Sequence, residues 1–426
     1  MSAIGQPARL EEWAGTVWRT SYRYGVSSLG PVAVSAAHFI ASLLFLRMLR
    51  PEEFGQFAFL LIVVPFCLGA SGALLGAPAF LTRGKPEAIA RSEIVTLQKT
   101  SIVVSLLAGV VVTGLMATAK AGLVTTLLFG LYGVLQTVRG FARSLSNVHG
   151  RIEAVAASDV FYAGLLVAGL VALAFSGGLS MRNAALVLVF ATGAAMVPFG
   201  AGYIFELVEA AASAGLRSYL PIWRNVTRWS LLGVALTEVA ANAHAYLVTF
   251  IAGPGAFGLL ALGALFMRPA SLVLGALPDI DQPVMARRIG QKDLKGAFRV
   301  VNEFRTAAGA VLAATILLSV VLVVWFPHLL LKHYGVPQVL VVLAFWVAIT
   351  ALRVVRTPEA VFVQATGNYP ALARISFYAG AVTLAATLAL LIAFGPIASL
   401  GGVVAGEVVM VVMLFVLTGS WRRKIA

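Results

Sequence analysis

Six polar residues interrupt long apolar stretches of the sequence. Each is of a type that is costly in hydrocarbon unless it faces water or a partner. Glu238 and Asn242 stand four residues apart, on one face of a helix, whereas His244 stands two further on and points elsewhere. Arg268 immediately precedes Pro269, and His38 and Glu407 lie in the first and last apolar stretches. An arginine held in apolar surroundings is a fork of donors for an anionic group. A carboxylate held there either neutralises an arginine or takes up a proton or a cation such as Na+. Glu238 and Glu407 are therefore candidates for ion coupling, and Arg268, His38, Asn242 and His244 for contact with a polar ligand. The competing reading is structural. It pairs Arg268 with Glu238 or Glu407, packs His38 as a neutral ring, and puts Glu407 at a helix contact beside Gly401, Gly402 and Gly406. Four further arginines, Arg47, Arg50, Arg139 and Arg356, stand at the ends of apolar stretches, where they meet a phosphate or simply hold topology.

Composition sets the solvent in which these groups act. Of 426 residues, 60% are hydrophobic and 11% charged, with a mean hydropathy of +0.94. A soluble domain carries about 25% charged residues. So apolar a chain cannot clothe itself in water, and no soluble domain is expected. The apolar runs are continuous rather than alternating, which disfavours an outer-membrane barrel and predicts an all-α integral membrane protein. The single cysteine, Cys67, allows no intrachain disulfide or thiolate metal cluster. No His-x-x-x-His pair, phosphate-cradling glycine loop or nucleophile elbow is present, so no cofactor, no metal site and no enzymatic activity are expected. No cleavable signal peptide is visible at the start.

A span needs about 20 apolar residues. Twelve stretches qualify: 26–46, 55–81, 101–119, 121–139, 156–176, 184–205, 229–252, 255–278, 306–327, 335–354, 375–394 and 396–418. Tight reversals are expected at Lys120 and at Gly395-Pro396. With both termini cytoplasmic, 25 of the 31 Lys and Arg residues fall on the cytoplasmic side, five fall outside and Arg268 falls within a span. This positive-inside bias accounts for most of the net charge of +14 and removes the case for a nucleic-acid partner. Pro31, Pro65, Pro78, Pro198 and Pro269 lie within spans as candidate kinks. Gly69, Gly72 and Gly76 share a face suited to close helix packing.

The chain also repeats itself. Pro51-Glu52-Glu53-Phe54-Gly55 and Pro254-Gly255-Ala256-Phe257-Gly258 both follow the first span of a half. Arg139 precedes Gly150, and Arg356 precedes Gly367, by eleven residues each. The reading is two six-helix halves, 1–210 and 211–426, related by an axis along the membrane normal around a central cleft.

The stretch from Phe45 to Gly55, Phe-Leu-Arg-Met-Leu-Arg-Pro-Glu-Glu-Phe-Gly, resembles the start of the polysaccharide-transporter branch of the multidrug/oligosaccharidyl-lipid/polysaccharide exporter superfamily. There the first span ends in Arg-x-Leu-x-Pro-x-x-Phe/Tyr-Gly. The second half keeps Pro254, Phe257 and Gly258 and lacks the arginine. The resemblance implies a bacterial inner-membrane flippase. Its substrate would be an undecaprenyl-diphosphate-linked oligosaccharide destined for O-antigen, capsule or exopolysaccharide. It would work by alternating access, with H+ or Na+ as possible coupling ions and a polysaccharide polymerase as a membrane partner. Arg268 would then meet the diphosphate. The alternative is a cation-coupled multidrug or small-molecule exporter of the same superfamily. A membrane enzyme would need a large extramembrane loop, and the longest connection here is 279–305.

Overall fold

The computed structural model describes residues 29–82, 85–212 and 216–423, and among them it contains helices, turns and no strand. Helix α1 is Leu29–Met48, α2 Pro51–Leu81, α3 Glu87–Thr118, α4 Leu123–Val148, α5 Ile152–Phe175 and α6 Met181–Phe199. The short α7, Ala201–Ala212, precedes α8, Leu216–Ile251. Then come α9, Pro254–Phe266, α10, Arg268–Gly290, α11, Leu294–Trp325, and α12, Val336–Ala365. Helices α13, Tyr369–Phe394, and α14, Leu400–Arg422, complete the fold. Among the described residues, eleven helices are long and apolar enough to cross a membrane, and α9 and α10, bent by 60° at their junction, make a twelfth candidate. The chain is a multi-pass membrane protein.

Every expected span has its helix, but the helices overrun the apolar stretches at the basic ends. Helix α3 begins at Glu87 rather than 101, α4 continues to Val148 rather than 139, α11 begins at Leu294 rather than 306, and α12 continues to Ala365 rather than 354. Hydropathy falls where charges begin, whereas a helix persists because its backbone bonds are internal to it.

Local chemistry sets the ends. The Ser180, Asp293 and Asn368 side chains each accept an N–H of the following turn. Helices α4 and α12 end alike. Gly150 and Gly367 adopt φ +76° and +77°. The N–H groups of Gly150 and Arg151 reach back to Asn147 and Ser146, and those of Gly367 and Asn368 reach back to Gln364 and Val363. This is the same αL cap, 217 positions apart. The reversal at Lys120 is made with φ +57°, and the one at Gly395 with φ +86°.

The helices form two compact units. One takes the described residues of Met1–Leu44 with Val63–Leu231, and the other Phe45–Ile62 with Leu232–Ala426. In the first, α3 packs on α4, α4 on α6, and α5 on α6. In the second, α13 packs on α14, α12 on α14, and α10 on α11.

The Pro-x-x-Phe-Gly repeats meet inside the second unit. A Cβ on Gly55 would collide with the carbonyl oxygen of Pro254. One on Gly258 would lie 2.9 Å from the carbonyl oxygen of Pro51 and 3.3 Å from Gly55 Cα. The contact is reciprocal, as a two-fold relation between repeats makes it. The motif residues therefore have distinct tasks. Pro51 and Pro254 start helices, and Phe54 and Phe257 are buried. Glu53 accepts the Arg50 N–H at 3.1 Å, closing the helix start, and the glycines permit the crossing.

Of the glycine face expected on α2, Gly76 packs closely, where a Cβ would lie 3.2 Å from Ser144 Oγ of α4, but Gly72 does not. A Cβ on Gly72 would touch nothing within 4 Å, and Gly72–Gly76 forms a π-helical turn instead. A second π turn, Trp223–Thr227 of α8, packs against it. The Tyr219 hydroxyl donates to the Leu74 carbonyl at 2.7 Å and lies 3.2 Å from Thr227 Oγ1.

Candidate functional site

Arg268 sits at the break between α9 and α10. Pro269 has no N–H to offer and its ring excludes the carbonyl four residues earlier, so helix α9 stops at Phe266 and α10 restarts at Arg268. The side chain is not in the middle of a continuous span, as the sequence suggests, but at the first position of a new helix, where partly unsatisfied N–H groups add positive potential. It is half-buried and has no ion pair among the described residues. Neither expected acid neutralises it. Glu238 accepts a hydrogen bond from the Tyr246 hydroxyl at 2.7 Å, and Glu407 is engaged elsewhere.

Arg139 lies in the interior of α4 and is buried in the first unit. Its Nη2 pairs with Asp159 Oδ1, and Arg143 Nη2 donates to Asp159 Oδ2 at 2.7 Å. Arg139 Nε donates to Ser158 Oγ at 2.9 Å and its Nη1 to Gln136 Oε1 at 3.3 Å. The guanidinium carbon lies 4.8 Å from the centre of the Tyr162 ring. Gln136, Tyr132, Tyr162 and His38 continue the network, with Tyr132 and Tyr162 hydroxyls 3.0 Å apart and His38 Nε2 2.9 Å from Tyr162. Helix α1 closes over Asp159 at Gly30, where any Cβ would strike the carboxylate. Arg139 and Asp159 are buried in this cluster, and Arg143 at its edge is 33% exposed.

Arg356 occupies the repeat-related place in α12, and its surroundings differ. Glu407 of α14 accepts Arg353 Nε at 2.7 Å on one oxygen and Arg356 Nε on the other, with Arg356 Nη2 at 3.4 Å from the first. A cavity of about 350 Å³ opens beside the cluster. It is lined by Thr237, Ala240 and Ala241 of α8, Arg353 and Arg356 of α12, Ser376, Ala379 and Thr383 of α13, and Gly406, Glu407 and Met410 of α14. Nearby, Arg305 Nη2 of α11 donates to the fully buried Glu359 at 2.7 Å. In the first unit a cavity of about 530 Å³ lies between Glu87, Arg91, Gln98, His149, Glu206 and Glu209. There Gln98 donates to Glu206 at 2.9 Å.

The remaining expected residues scatter. His244 is buried, with its ring 5.6 Å from Trp346 and 6.4 Å from Phe257. Asn242 is half-buried on α8. Arg47 and Arg50 are exposed, and Arg50 Nε stands 3.6 Å from Glu53. Asp159, Arg143, Arg353 and Glu359 complete the clusters and were not singled out in the sequence. The signal was present, since Asp159 falls within the apolar stretch 156–176. Reading Arg139 and Arg353 as the ends of their spans hid it, because the helices run nine and twelve residues further. Among the described residues, no three His, Cys, Asp or Glu side chains group as a metal site.

No protein-family model matches the chain, and no curated protein matches it in sequence. Solved structures match in fold. A multidrug resistance MATE family transporter of the MOP superfamily, inward-facing, aligns with TM-score 0.68 at 12% identity, covering 93% of this chain and 98% of the other. The lipid II flippase MurJ, in an inward closed conformation, aligns with TM-score 0.70 at 10% identity, covering 92% and 87%. An outward-facing MATE family transporter aligns with TM-score 0.58 at 12% identity, covering 94% of each. Identities this low establish a shared fold.

Proposed function

We propose that the protein is a flippase for a lipid-linked oligosaccharide, moving a diphosphate-bearing polyprenol glycan across the bacterial inner membrane for surface polysaccharide synthesis. The observation that carries the reading is Arg268. A diphosphate needs fixed positive charge along an apolar path, because unaided desolvation of an anion is prohibitive. Arg268 offers an arginine without an ion pair among the described residues, combined with a helix start, at a break in a span-like helix pair. Arg47 and Arg50, exposed beside the Pro51 turn, are secondary donors. The glycan needs only loose hydrogen bonding. Glu238, bonded to Tyr246 and half-buried, is the candidate for H+ or Na+ coupling. Both termini lie on the cytoplasmic side in this reading, and the two repeats rock about a central cleft. A polysaccharide polymerase consumes the product in the outer leaflet.

Likeness of fold to MATE transporters keeps a cation-coupled exporter as the competing outcome of one genetic test. Deletion of the gene is expected to abolish a surface polysaccharide and accumulate its lipid-linked repeat unit on the cytoplasmic side. Arg268→Ala should reproduce the block at normal protein abundance, and Arg268→Lys should retain part of the activity. Intact surface glycans with new sensitivity to cationic drugs would replace the flippase with the exporter.

A further inference from the structure

We infer that the cavity beside Arg353 and Arg356 is a binding site for a phosphate-class oxyanion, separate from Arg268. The argument begins with charge. Two guanidinium groups and one carboxylate line it, and no other ionisable side chain does, so it carries one positive charge in excess. A buried excess charge is stable only with a counterion or water. Donor capacity comes next. Glu407 occupies the Nε atoms of both arginines and Arg356 Nη2. The Nη1 and Nη2 atoms of Arg353 and Nη1 of Arg356 form no hydrogen bond with described residues, and both side chains keep 21–26% exposure. The Ser376 hydroxyl also lines the cavity without a bond to described residues. Planar forks of this kind match the oxygens of phosphate in pairs.

The repeat supplies an internal control. In the first unit the corresponding Arg139 directs each of its three nitrogens to a protein acceptor, Asp159, Ser158 or Gln136, and is 3% exposed. Both clusters set two arginines against one carboxylate, and a cavity lined by both arginines lies beside the second. Its volume of about 350 Å³ lies at the low end of the range of ~300–1,000 Å³ for small-ligand sites. It admits a phosphate or diphosphate group with its water and not a glycan chain. The source is either a lipid head group or a free anion, since the chemistry of recognition is the same. The inference does not rest on the flippase reading.

Purified full-length protein in nanodiscs should show a saturable rise in melting temperature with inorganic diphosphate, beyond that of chloride at equal ionic strength. Two variants locate the site. Arg356→Gln with Glu407→Gln removes one charge of each sign. Ser376→Leu fills the cavity and leaves the ion cluster intact. Each should weaken diphosphate binding by about tenfold or more, the scale of one charge-assisted hydrogen bond. The unliganded melting temperature of Ser376→Leu should stay unchanged. Farnesyl diphosphate in the nanodisc distinguishes the sources. Competition with inorganic diphosphate assigns the site to a lipid head group, and absence of competition assigns it to a free anion. A melting shift no larger than that of chloride, or one unchanged in both variants, overturns the inference.

Discussion

Arg139 and Arg356 hold equivalent places, eleven residues before equivalent helix caps, yet they live in opposite environments. Arg139 is buried and bonded through all three of its nitrogens, and its partner Asp159 lies beneath Gly30 of α1. Arg356 shares Glu407 with Arg353 beside open space. The same side chain thus stands before the same helix cap, enclosed in one place and beside a cavity in the other.

The largest expected effect separates these two roles. Asp159→Asn leaves Arg139 charged, buried and uncompensated, at a cost of about 3–5 kcal/mol. Glu407→Gln strands arginines that cavity water still solvates, at a cost of about 1–2 kcal/mol. Thermal unfolding of the two variants in one detergent should rank them in that order. Equal losses would mean that the second cluster is as structural as the first.

Most of the fold was legible, because apolar length and a basic bias are bulk properties. Twelve stretches, the reversals at Lys120 and Gly395, and both repeat motifs can be read without coordinates. The site was less legible. Whether Arg139 ends a span or sits inside it depends on where α4 stops, and Gly150 rather than hydropathy decides that. Which acid meets which arginine depends on helix neighbours. Glu238 and Glu407 look alike in sequence, and only packing gives one to Tyr246 and the other to two arginines. The break at Met267 was signalled by Pro269, but its 60° bend was not.

The reciprocal crossing is the next test of the two-fold comparison. Gly55→Ala pushes a methyl group into the Pro254 carbonyl and should cost about 1–3 kcal/mol. Gly258→Ala meets Pro51 less severely and should cost less. A Gly55→Ala protein as stable as the parent would remove the crossing from the account.

The smallest effect is a control on equivalence. Gly150→Ala and Gly367→Ala both force a side chain into the left-handed region, with open space around it. Each should cost about 1 kcal/mol, and the two values should agree. Disagreement would show that the caps are alike in geometry only.

Under the proposed flippase function, with the inferred anion site serving transport, the most direct test compares two double variants in cells where deletion of the gene abolishes a surface polysaccharide. One is Arg139→Gln with Asp159→Asn, the other Arg356→Gln with Glu407→Gln. Lipid-linked repeat units reaching the outer leaflet are measured per molecule of folded protein. The account predicts that the first variant lowers the amount of folded protein and leaves the rate per molecule near that of the parent. It predicts that the second keeps the amount and loses the rate. The reverse pattern, or the same loss of rate in both, would contradict it.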